Sequence, residues 1–166
     1  MPSERSPQNL PAVTVAAVIR TGDHFLVVEE RCNGRLVFNQ PAGHVEPGET
    51  LLAAVVRETL EETAWRFTPE ALLGVYTWRS PDSGEVSMRF AFTGSVRDHD
   101  PKLPLDTVIV RAHWLSRQDL AGRELRSPLV LRCIDDFLAG TRHPLATVAA
   151  LDFTTAHSTS IPAVAV

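Results

Sequence analysis

The stretch that decides the fold is Gly43-His-Val-Glu-Pro-Gly-Glu-Thr-Leu-Leu-Ala-Ala-Val-Val-Arg-Glu-Thr-Leu-Glu-Glu-Thr-Ala-Trp65. Pro47-Gly48 favours a tight turn, because neither residue suits the interior of a helix. From about Glu49 onward Ala, Leu and Val fill successive turns, which predicts a helix with Glu49 near its positive N-terminal end. The stretch is therefore predicted to form a loop followed by a helix.

The predicted helix has an apolar half and an acidic cluster beside it. The apolar residues that share one half of its surface are Leu51, Leu52, Val55, Val56 and Leu60. Glu58, Glu61 and Glu62 cluster next to them, because spacings of three and four bring side chains together. Neighbouring like charges cost a few tenths of a kcal/mol per pair, roughly, and a divalent cation would reverse that cost. Oxygen-only ligands suit Mg²⁺ or Mn²⁺.

Arg57 directly precedes the first of these glutamates, and its planar guanidinium is suited to hold a neighbouring carboxylate in one orientation. The simplest alternative is a solvated acidic helix face with an incidental arginine. An isolated Glu-x-x-Glu-Glu would favour that alternative. Here Gly43, Glu49 and the Arg57-Glu58 pair also occur upstream at fixed spacings, and the combination favours a metal site.

These spacings resemble the Nudix box, a motif of a glycine, a glutamate, an Arg-Glu pair, a Glu-Glu pair and a closing glycine with an apolar residue, at fixed intervals. The matching residues, in order, are Gly43, Glu49, Arg57, Glu58, Glu61 and Glu62. Three residues depart from the motif: Thr59 replaces an aliphatic residue, Ala64 the closing glycine and Trp65 a smaller apolar residue. Glycine after a helix adopts the left-handed conformation at little cost, so Ala64 costs roughly 1 kcal/mol there or forces a different helix ending.

Strands are predicted on both sides of the box. Before it, the β-rich apolar segments are 12–20, 25–30 and 36–39, with turns at Gly22-Asp23 and Asn33-Gly34. After it, the predicted elements are strands over 71–79, 86–96 and 107–115, a helix beginning at Ser116, and a last helix opened by Ser127-Pro128 and closed by Gly140. This order predicts an α/β or α+β domain with a mixed sheet covered on both faces.

The resemblance implies a Nudix-type α/β/α sandwich in which the box forms a loop-helix-loop catalytic motif. One domain is expected over residues 11–153, because 166 residues are near the usual size of a single domain. Residues 1–10, which are polar and contain prolines, are expected to be a flexible tail. Residues 154–166, which are rich in Ala, Val and Thr, are expected to be another.

Runs outside the box resemble the NudJ group of Nudix phosphatases. These runs begin at Val13, Phe25, Asn39, Tyr76, Arg89 and Arg126. The resemblance implies Mg²⁺-dependent hydrolysis of phosphoanhydride bonds in nucleoside di- and triphosphates and in the pyrophosphorylated pyrimidine precursor of thiamine. A Nudix domain used as a non-catalytic ligand sensor or binding module is the alternative. Such a domain would be expected to lose box carboxylates, and this chain keeps them.

Chemistry at phosphorus does not require a protein nucleophile, because a metal can activate water and neutralise developing charge. Glu58 and Glu62 are the first candidates for metal ligands, with Glu61 as a third ligand or as the base, and the Gly43 carbonyl as a further ligand. Arg57 is the candidate for orienting them. A later loop contains Asp106 but no glutamate, and His113 stands before Trp114. The sequence leaves the general base open.

Candidate substrate-binding residues flank the box. Gln40 and His44 are placed to contact phosphate or the organic group, with a hydrogen bond that stabilises the turn as the alternative. Phe38 and Trp78 are candidates for stacking on a base, although aromatic residues in strands more often belong to the core. Arg79 and Arg89 are candidates for binding a terminal phosphate bidentately, with solvated strand arginines as the alternative.

No polar cluster is visible beside Trp78 or Phe38, so the organic group is expected to be recognised only loosely. The expected partner is therefore a small nucleotide or another pyrophosphate compound. The net charge of −4 and the absence of a Lys/Arg run argue against binding of nucleic acid.

The composition of the chain also indicates the compartment in which the protein is expected. Cys32 and Cys133 fall in no metal-binding pattern and are expected to be reduced thiols. The polar N-terminal residues lack the apolar core of a signal peptide, and no apolar run is long enough to span a membrane. We expect a cytoplasmic protein that is a monomer or homodimer.

Overall fold

The computed structural model describes residues 10–150. The tails predicted for residues 1–10 and 154–166 therefore lie outside the described residues, apart from Leu10. The strands are β1 Ala12–Thr21, β2 His24–Cys32, β3 Arg35–Asn39, β4 Ala42–His44, β5 Arg66–Arg79, β6 Val86–Arg97 and β7 Ile109–Ser116. The helices are α1 Leu51–Thr63, α2 Arg117–Ala121 and α3 Leu129–Leu138, followed by a 3₁₀ turn at Leu145–Val148.

The strands form a mixed sheet, as predicted. β1 runs parallel to β6 and antiparallel to β4, and β5 pairs with the other side of β6. β2 pairs antiparallel with β3 and β7 and joins β1 through the hairpin at Gly22-Asp23. β1 thus lies at the centre, and its residues from Val15 to Ile19 are all buried. That burial on both faces explains why this strand is a continuous apolar run.

Two hydrophobic clusters lie on opposite faces of this sheet. Val15, Ala17 and Ile19 of β1 pack with residues of α1 in one cluster. The alternate residue Val18 packs with α3 in the other, because successive strand side chains point to opposite faces. The helices therefore cover both faces, which confirms the predicted α/β architecture.

Helix α1 begins later than predicted. Thr50 is its N-cap, with its hydroxyl oxygen accepting a hydrogen bond from Ala53 N at 3.1 Å. Glu49, the predicted start, precedes the cap, because Thr50 has an extended backbone and its side chain caps the helix. The Glu49 carboxylate is bound by Arg57 and by Glu46 N. At the other end, Ala64 takes the left-handed conformation with φ 58°. Helix α1 therefore ends in the left-handed conformation that a closing glycine would adopt, although the residue is alanine.

The most buried stripe of α1 differs from the predicted apolar half. It comprises Ala54, Val55, Glu58, Thr59, Glu62 and Thr63. Of the predicted apolar residues, Val55 is fully buried, whereas Leu51, Leu52 and Val56 are partly buried against the same cluster. The hydroxyl of Thr59 donates to the Val55 carbonyl at 2.7 Å, which satisfies this polar group inside the core. Two acidic residues are therefore turned towards the interior.

Three other predicted boundaries were wrong. β5 begins at Arg66, not at residue 71, because Pro69 lies at a bulge of this edge strand and weakens the sequence signal. β7 begins at Ile109, since Ile109 N bonds the Asp106 carbonyl and closes a turn over residues 107 and 108. Ser127 does not cap α3 with its side chain; its backbone carbonyl accepts from Val130 N instead.

Both cysteines are free thiols, as predicted. Within residues 10–150, no helix has the length and apolar character needed to cross a membrane.

Candidate active site

The strand β4 brings the first glycine of the box against helix α1. Gly43 pairs with Val15 of β1, and the carbonyl of Pro41 accepts from Ala17 N at 2.9 Å, so this segment is anchored to the central strand. A side chain at Gly43 would overlap the carboxylate of Glu58. The position needs glycine because a helix carboxylate occupies the space that a Cβ would fill.

Arg57 joins the loop to the helix through five hydrogen bonds. Its Nε and Nη2 bond the two carboxylate oxygens of Glu49 at 2.8 and 2.9 Å. Its Nη1 bonds Glu58 Oε1 at 2.8 Å and Glu61 Oε2 at 3.0 Å, and Nη2 also donates to the His44 carbonyl at 3.0 Å. The five N–H groups of the guanidinium are therefore all used. The hydrogen bond to Arg57 also lowers the pKa of Glu49.

Glu62 is the most deeply buried carboxylate of the box, at 4% exposed. Its Oε2 accepts a hydrogen bond from Ala42 N at 2.9 Å. Burial is the main cause that raises the pKa of Glu62 to about 9, and the charges of Glu30, Glu58 and Asp106 add to it. The ionised form of Glu62 is thus unstable without a cation beside it.

The pKa of Glu58 is shifted in the same direction as that of Glu62. Burial raises the pKa of Glu58, and the hydrogen bond from Arg57 only partly opposes this effect. Glu61 and Asp106 add repulsion. These two neighbouring helix glutamates, Glu58 and Glu62, therefore form a region of unfavourable negative charge.

Asp106 completes a cluster that fits a metal ion. One carboxylate oxygen each from Glu58, Glu62 and Asp106 lies within 4.8 Å of the other two. The Asp106 backbone is tied to the end of α1, since its N–H donates to the Glu61 carbonyl at 3.0 Å. Carboxylate oxygens alone suit Mg²⁺ or Mn²⁺. A divalent cation would offset the burial and the mutual repulsion that together raise both glutamate pKa values. The residues present fit such an ion.

The sequence indicates Asp106 only as an acid of a later loop, because helical spacing cannot locate a loop residue. Glu61, in contrast, was a candidate third ligand and lies outside this cluster. Its side chain is 42% exposed and pairs with Arg57. The Gly43 backbone lies against Glu58, which keeps its carbonyl a candidate ligand.

Gln40 and Arg89 form a buried network behind the loop. Arg89 Nη1 donates to Gln40 Oε1 at 3.2 Å, and both Nη atoms lie 3.5 Å from Asn39 Oδ1. Gln40 in turn donates to the Val130 carbonyl at 2.7 Å. Burial lowers the pKa of Arg89, while the negative charges of Glu30 and Glu62 oppose that shift. The charge of Glu62, a member of the carboxylate cluster, therefore acts on Arg89.

A pocket of about 360 Å³ opens beside this network. Among the predicted substrate-binding residues, His44, Trp78 and Arg89 line it. Gln40 is only 1% exposed and does not line the pocket, but its Oε1 accepts a hydrogen bond from Arg89.

The other two predicted substrate residues lie elsewhere. Phe38 is buried in the cluster beneath α2 and α3, with the Arg123 guanidinium 5.3 Å above its ring. Arg79 is exposed and donates to the Gly84 carbonyl of its own hairpin at 2.9 Å. These contacts agree with the alternatives of a core aromatic and a solvated arginine.

The NUDIX domain family model matches residues 9–133 of the chain. Phosphatase NudJ of Escherichia coli (strain K12) is 40% identical over 136 residues, which cover 81% of this chain and 88% of that protein. A Nudix hydrolase of Nitrosomonas europaea superposes with a TM-score of 0.84 at 46% identity, covering 86% of this chain and 98% of the other. The chain belongs to the Nudix family.

Within that family it is a hydrolase with a NudJ phosphatase relative, as predicted. More distant structures share only the fold. The MutT Nudix hydrolase of Burkholderia pseudomallei, for instance, is 20% identical with a TM-score of 0.68, over 77% of this chain and 98% of that one.

Proposed function

We propose that this Nudix hydrolase cleaves phosphoanhydride bonds in small pyrophosphorylated compounds, nucleoside di- and triphosphates among them, with Mg²⁺ or Mn²⁺ as its cofactor. The observation that carries the proposal is the cluster of Glu58, Glu62 and Asp106 beside the glycine loop. The chemistry that such an ion supplies is neutralisation of phosphate charge and a lowered pKa of the attacking water. The relatedness to a NudJ phosphatase supports the same class of reaction.

The box residues near the cluster have separate roles in this proposal. Glu58 and Glu62 hold the cation with Asp106, and the Gly43 carbonyl is a further ligand. Arg57 positions Glu58 and keeps the loop closed against α1 through the His44 carbonyl.

We assign proton removal from the attacking water to Glu61, because it is the box carboxylate of helix α1 that lies outside the cluster. Its partly exposed side chain is accessible to solvent on one side and fixed by Arg57 on the other. A base must lie within hydrogen-bond reach of the water that it deprotonates, and Glu61 lies on the same side of α1 as the proposed ligand Glu58, three residues earlier.

A substrate panel tests the proposal. Nucleoside di- and triphosphates and an aminopyrimidine diphosphate are incubated with Mg²⁺, with Mn²⁺ and with a chelator, and the products are analysed in ¹⁸O-labelled water. We expect metal-dependent release of inorganic phosphate from a triphosphate and of a monophosphate from a diphosphate. Pyrophosphate as the sole leaving product from a triphosphate would refute this bond assignment. No turnover with any divalent ion would refute the proposal as a whole.

A further inference from the structure

The loop of residues 98–108, between β6 and β7, brings Asp106 to the carboxylate cluster although it buries almost none of its own side chains. All of its residues are exposed except Leu105, which is half-buried. Burial of apolar surface is the main force that stabilises folded proteins, and this loop obtains little of it. The position of Asp106 therefore depends on a few specific contacts with the end of α1.

Two backbone hydrogen bonds join the loop to the end of α1. Asp100 N donates to the Ala64 carbonyl and Asp106 N donates to the Glu61 carbonyl, both at 3.0 Å. Carbonyls at the end of a helix have no partner within the helix, so the loop satisfies them. Asp100 and Asp106 are exposed, and because water competes for exposed groups, each bond adds only a little net stability.

Trp65 adds a contact between side chains at the same place. It directly follows Ala64, and its ring centroid lies 4.7 Å from that of His99, with 34° between the ring planes. His99 directly precedes Asp100. The ring of Trp65 also packs edge-on against Trp114 of β7, at 6.3 Å and 80°. Aromatic pairs at such separations attract each other, so the ring pair reinforces the neighbouring backbone bond.

The loop approaches α1 against a repulsion between like charges. Its charged residues are three aspartates and one lysine: Asp98, Asp100, Asp106 and Lys102. The charge of Asp106 is one of the causes that raise the pKa of Glu58 and that of Glu62. Without a metal ion this repulsion favours a loop that has moved away from the helix. A contact between two aromatic rings opposes it without adding negative charge.

We propose that Trp65 is a positioning residue, which holds the loop through His99 so that Asp106 stays beside Glu58 and Glu62. The inference rests on the proposed function, in which these three carboxylates bind the divalent ion, and it gives a role to a departure from the Nudix box. A smaller aliphatic residue at position 65 offers no ring to His99. When the conformation that binds a ligand is only partly populated, the apparent affinity falls by that fraction. Loss of the ring pair should therefore weaken metal binding.

The variants separate the ring pair from the core. His99→Ala is the main variant, because His99 is exposed and belongs to neither hydrophobic cluster. His99→Phe restores a ring and is the conservative rescue. Trp65→Leu is the second variant, and its unfolding is checked because Trp65 packs against the core. His143→Ala, at an exposed histidine of another loop, is the matched control.

The first measurement is Mn²⁺ binding to the substrate-free protein, followed by the electron paramagnetic resonance of the unbound ion. His99→Ala and Trp65→Leu should raise the Kd for Mn²⁺ by roughly 3- to 10-fold, the range that corresponds to one aromatic pair. His99→Phe and His143→Ala should keep the wild-type Kd. In the Asp106→Asn background His99→Ala should cause no further loss, because the two residues act as a unit. An unchanged Kd in His99→Ala, or an equal loss in the Asp106→Asn background, would overturn the inference.

Amide hydrogen exchange of the metal-free protein separates this inference from the proposed function. In the presence of a chelator, the N–H groups of Asp100 and Asp106 should exchange roughly 3- to 10-fold faster in His99→Ala than in the wild type. The N–H of Ala54, in the buried part of α1, should keep its rate. Faster exchange at all three amides would indicate general destabilisation, and unchanged rates at the two loop amides would show that the ring pair does not hold the loop. Either result would overturn the inference.

Failure of the proposed function would give a different pattern. A wild-type protein that bound no Mn²⁺ and hydrolysed no pyrophosphate compound would refute the metal site. Faster exchange confined to Asp100 and Asp106 in His99→Ala would still support the attachment of the loop by Trp65.

Discussion

Arg57 donates two parallel hydrogen bonds to Glu49, eight residues earlier in the chain, from Nε to Oε1 at 2.8 Å and from Nη2 to Oε2 at 2.9 Å. The same guanidinium bonds Glu58 and the His44 carbonyl. These bonds raise the pKa of Arg57 above its ordinary value, with the bond to Glu49 as the largest cause. One permanently charged side chain thus fixes the loop, the helix start and a proposed metal ligand relative to one another.

Arg57→Lys should lower kcat by about 10²-fold, since small misplacements of catalytic groups cost about that much. Lysine keeps the charge but offers three donors from a single atom, so it cannot replace the two-pronged contact with Glu49. Steady-state kinetics at saturating Mg²⁺ measures the effect, and circular dichroism checks the helix content. Arg66→Lys, at an exposed arginine just after α1, is the control and should retain full activity. Normal turnover by Arg57→Lys would show that charge alone is enough.

Asp106→Asn should raise the Mg²⁺ concentration for half-maximal activity by about 10-fold or more, because it removes one of the three clustered carboxylates. Glu61→Gln should lower kcat instead, with little change in Mg²⁺ dependence. Asp98→Asn is the charge control. Asp98 is an exposed acid outside the cluster with φ 52°, a conformation that asparagine tolerates. If Asp98→Asn shifted the Mg²⁺ dependence equally, the effect of Asp106 would be general electrostatics, not ligation.

The box carboxylates were predictable because helical spacing fixes which side chains are neighbours. Asp106 was not, because its place depends on a loop whose backbone is tied to α1 by one hydrogen bond. Arg79 and Arg89 show the same limit in strands. The sequence around each arginine is equally compatible with phosphate binding and with exposure to solvent. Arg89 is buried because β6 pairs with β1 beneath α3. Local patterns thus predicted the elements and the helix site, whereas the pocket required the tertiary arrangement.

Glu62 predicts how the stability of the metal-free protein depends on pH. Its pKa of about 9 in the folded state lies above the ordinary 4.5 of the unfolded chain. Between these values the folded state binds one more proton, so the free energy of unfolding falls as pH rises through that window. This group contributes at most about 1.4 kcal/mol per pH unit. Denaturant unfolding in the presence of a chelator, across this pH range, measures the slope.

Glu62→Gln should flatten that slope, because glutamine does not ionise and can still accept from Ala42 N. Glu85→Gln, at an exposed glutamate, should retain it. The same Glu62→Gln protein should fold and yet lose about 10²–10³-fold in turnover, as expected when an electrostatic partner leaves a catalytic site. If the free energy of unfolding had the same pH dependence in Glu62→Gln and the wild type, Glu62 would not be a protonated, buried carboxyl in the metal-free protein.

Ala64→Gly should change the free energy of unfolding by less than about 0.5 kcal/mol, because two effects oppose each other. Glycine relieves the left-handed strain at φ 58°, worth roughly 1 kcal/mol. It also removes a methyl group that is almost fully buried, worth about 0.8 kcal/mol. Ala53→Gly, at an exposed position inside α1, is the control and should destabilise by about 1 kcal/mol. A shift above about 1 kcal/mol in Ala64→Gly would mean that one effect dominates.

Gly43→Ala should lower kcat/KM by at least about 10²-fold, because the new methyl group would occupy the space of the Glu58 carboxylate. The strand cannot easily retreat, since the Pro41 carbonyl and Val45 N bond the backbone of β1 on either side of Gly43. Glu58 must therefore move away from Glu62 and Asp106, and the Mg²⁺ requirement should rise together with the loss of rate. Kinetics over a Mg²⁺ series separates the two effects.

Gly122→Ala is the matched control for that prediction. A Cβ at Gly122 would meet only the Asp119 carbonyl at 3.7 Å, and its φ of −93° is open to alanine. This variant should keep wild-type kcat/KM and stability. If Gly43→Ala were as active as Gly122→Ala, the close approach of Gly43 to Glu58 would have no functional role. If Gly43→Ala lost activity but kept its Mg²⁺ dependence, the methyl group would be acting on substrate access and not on the carboxylate cluster.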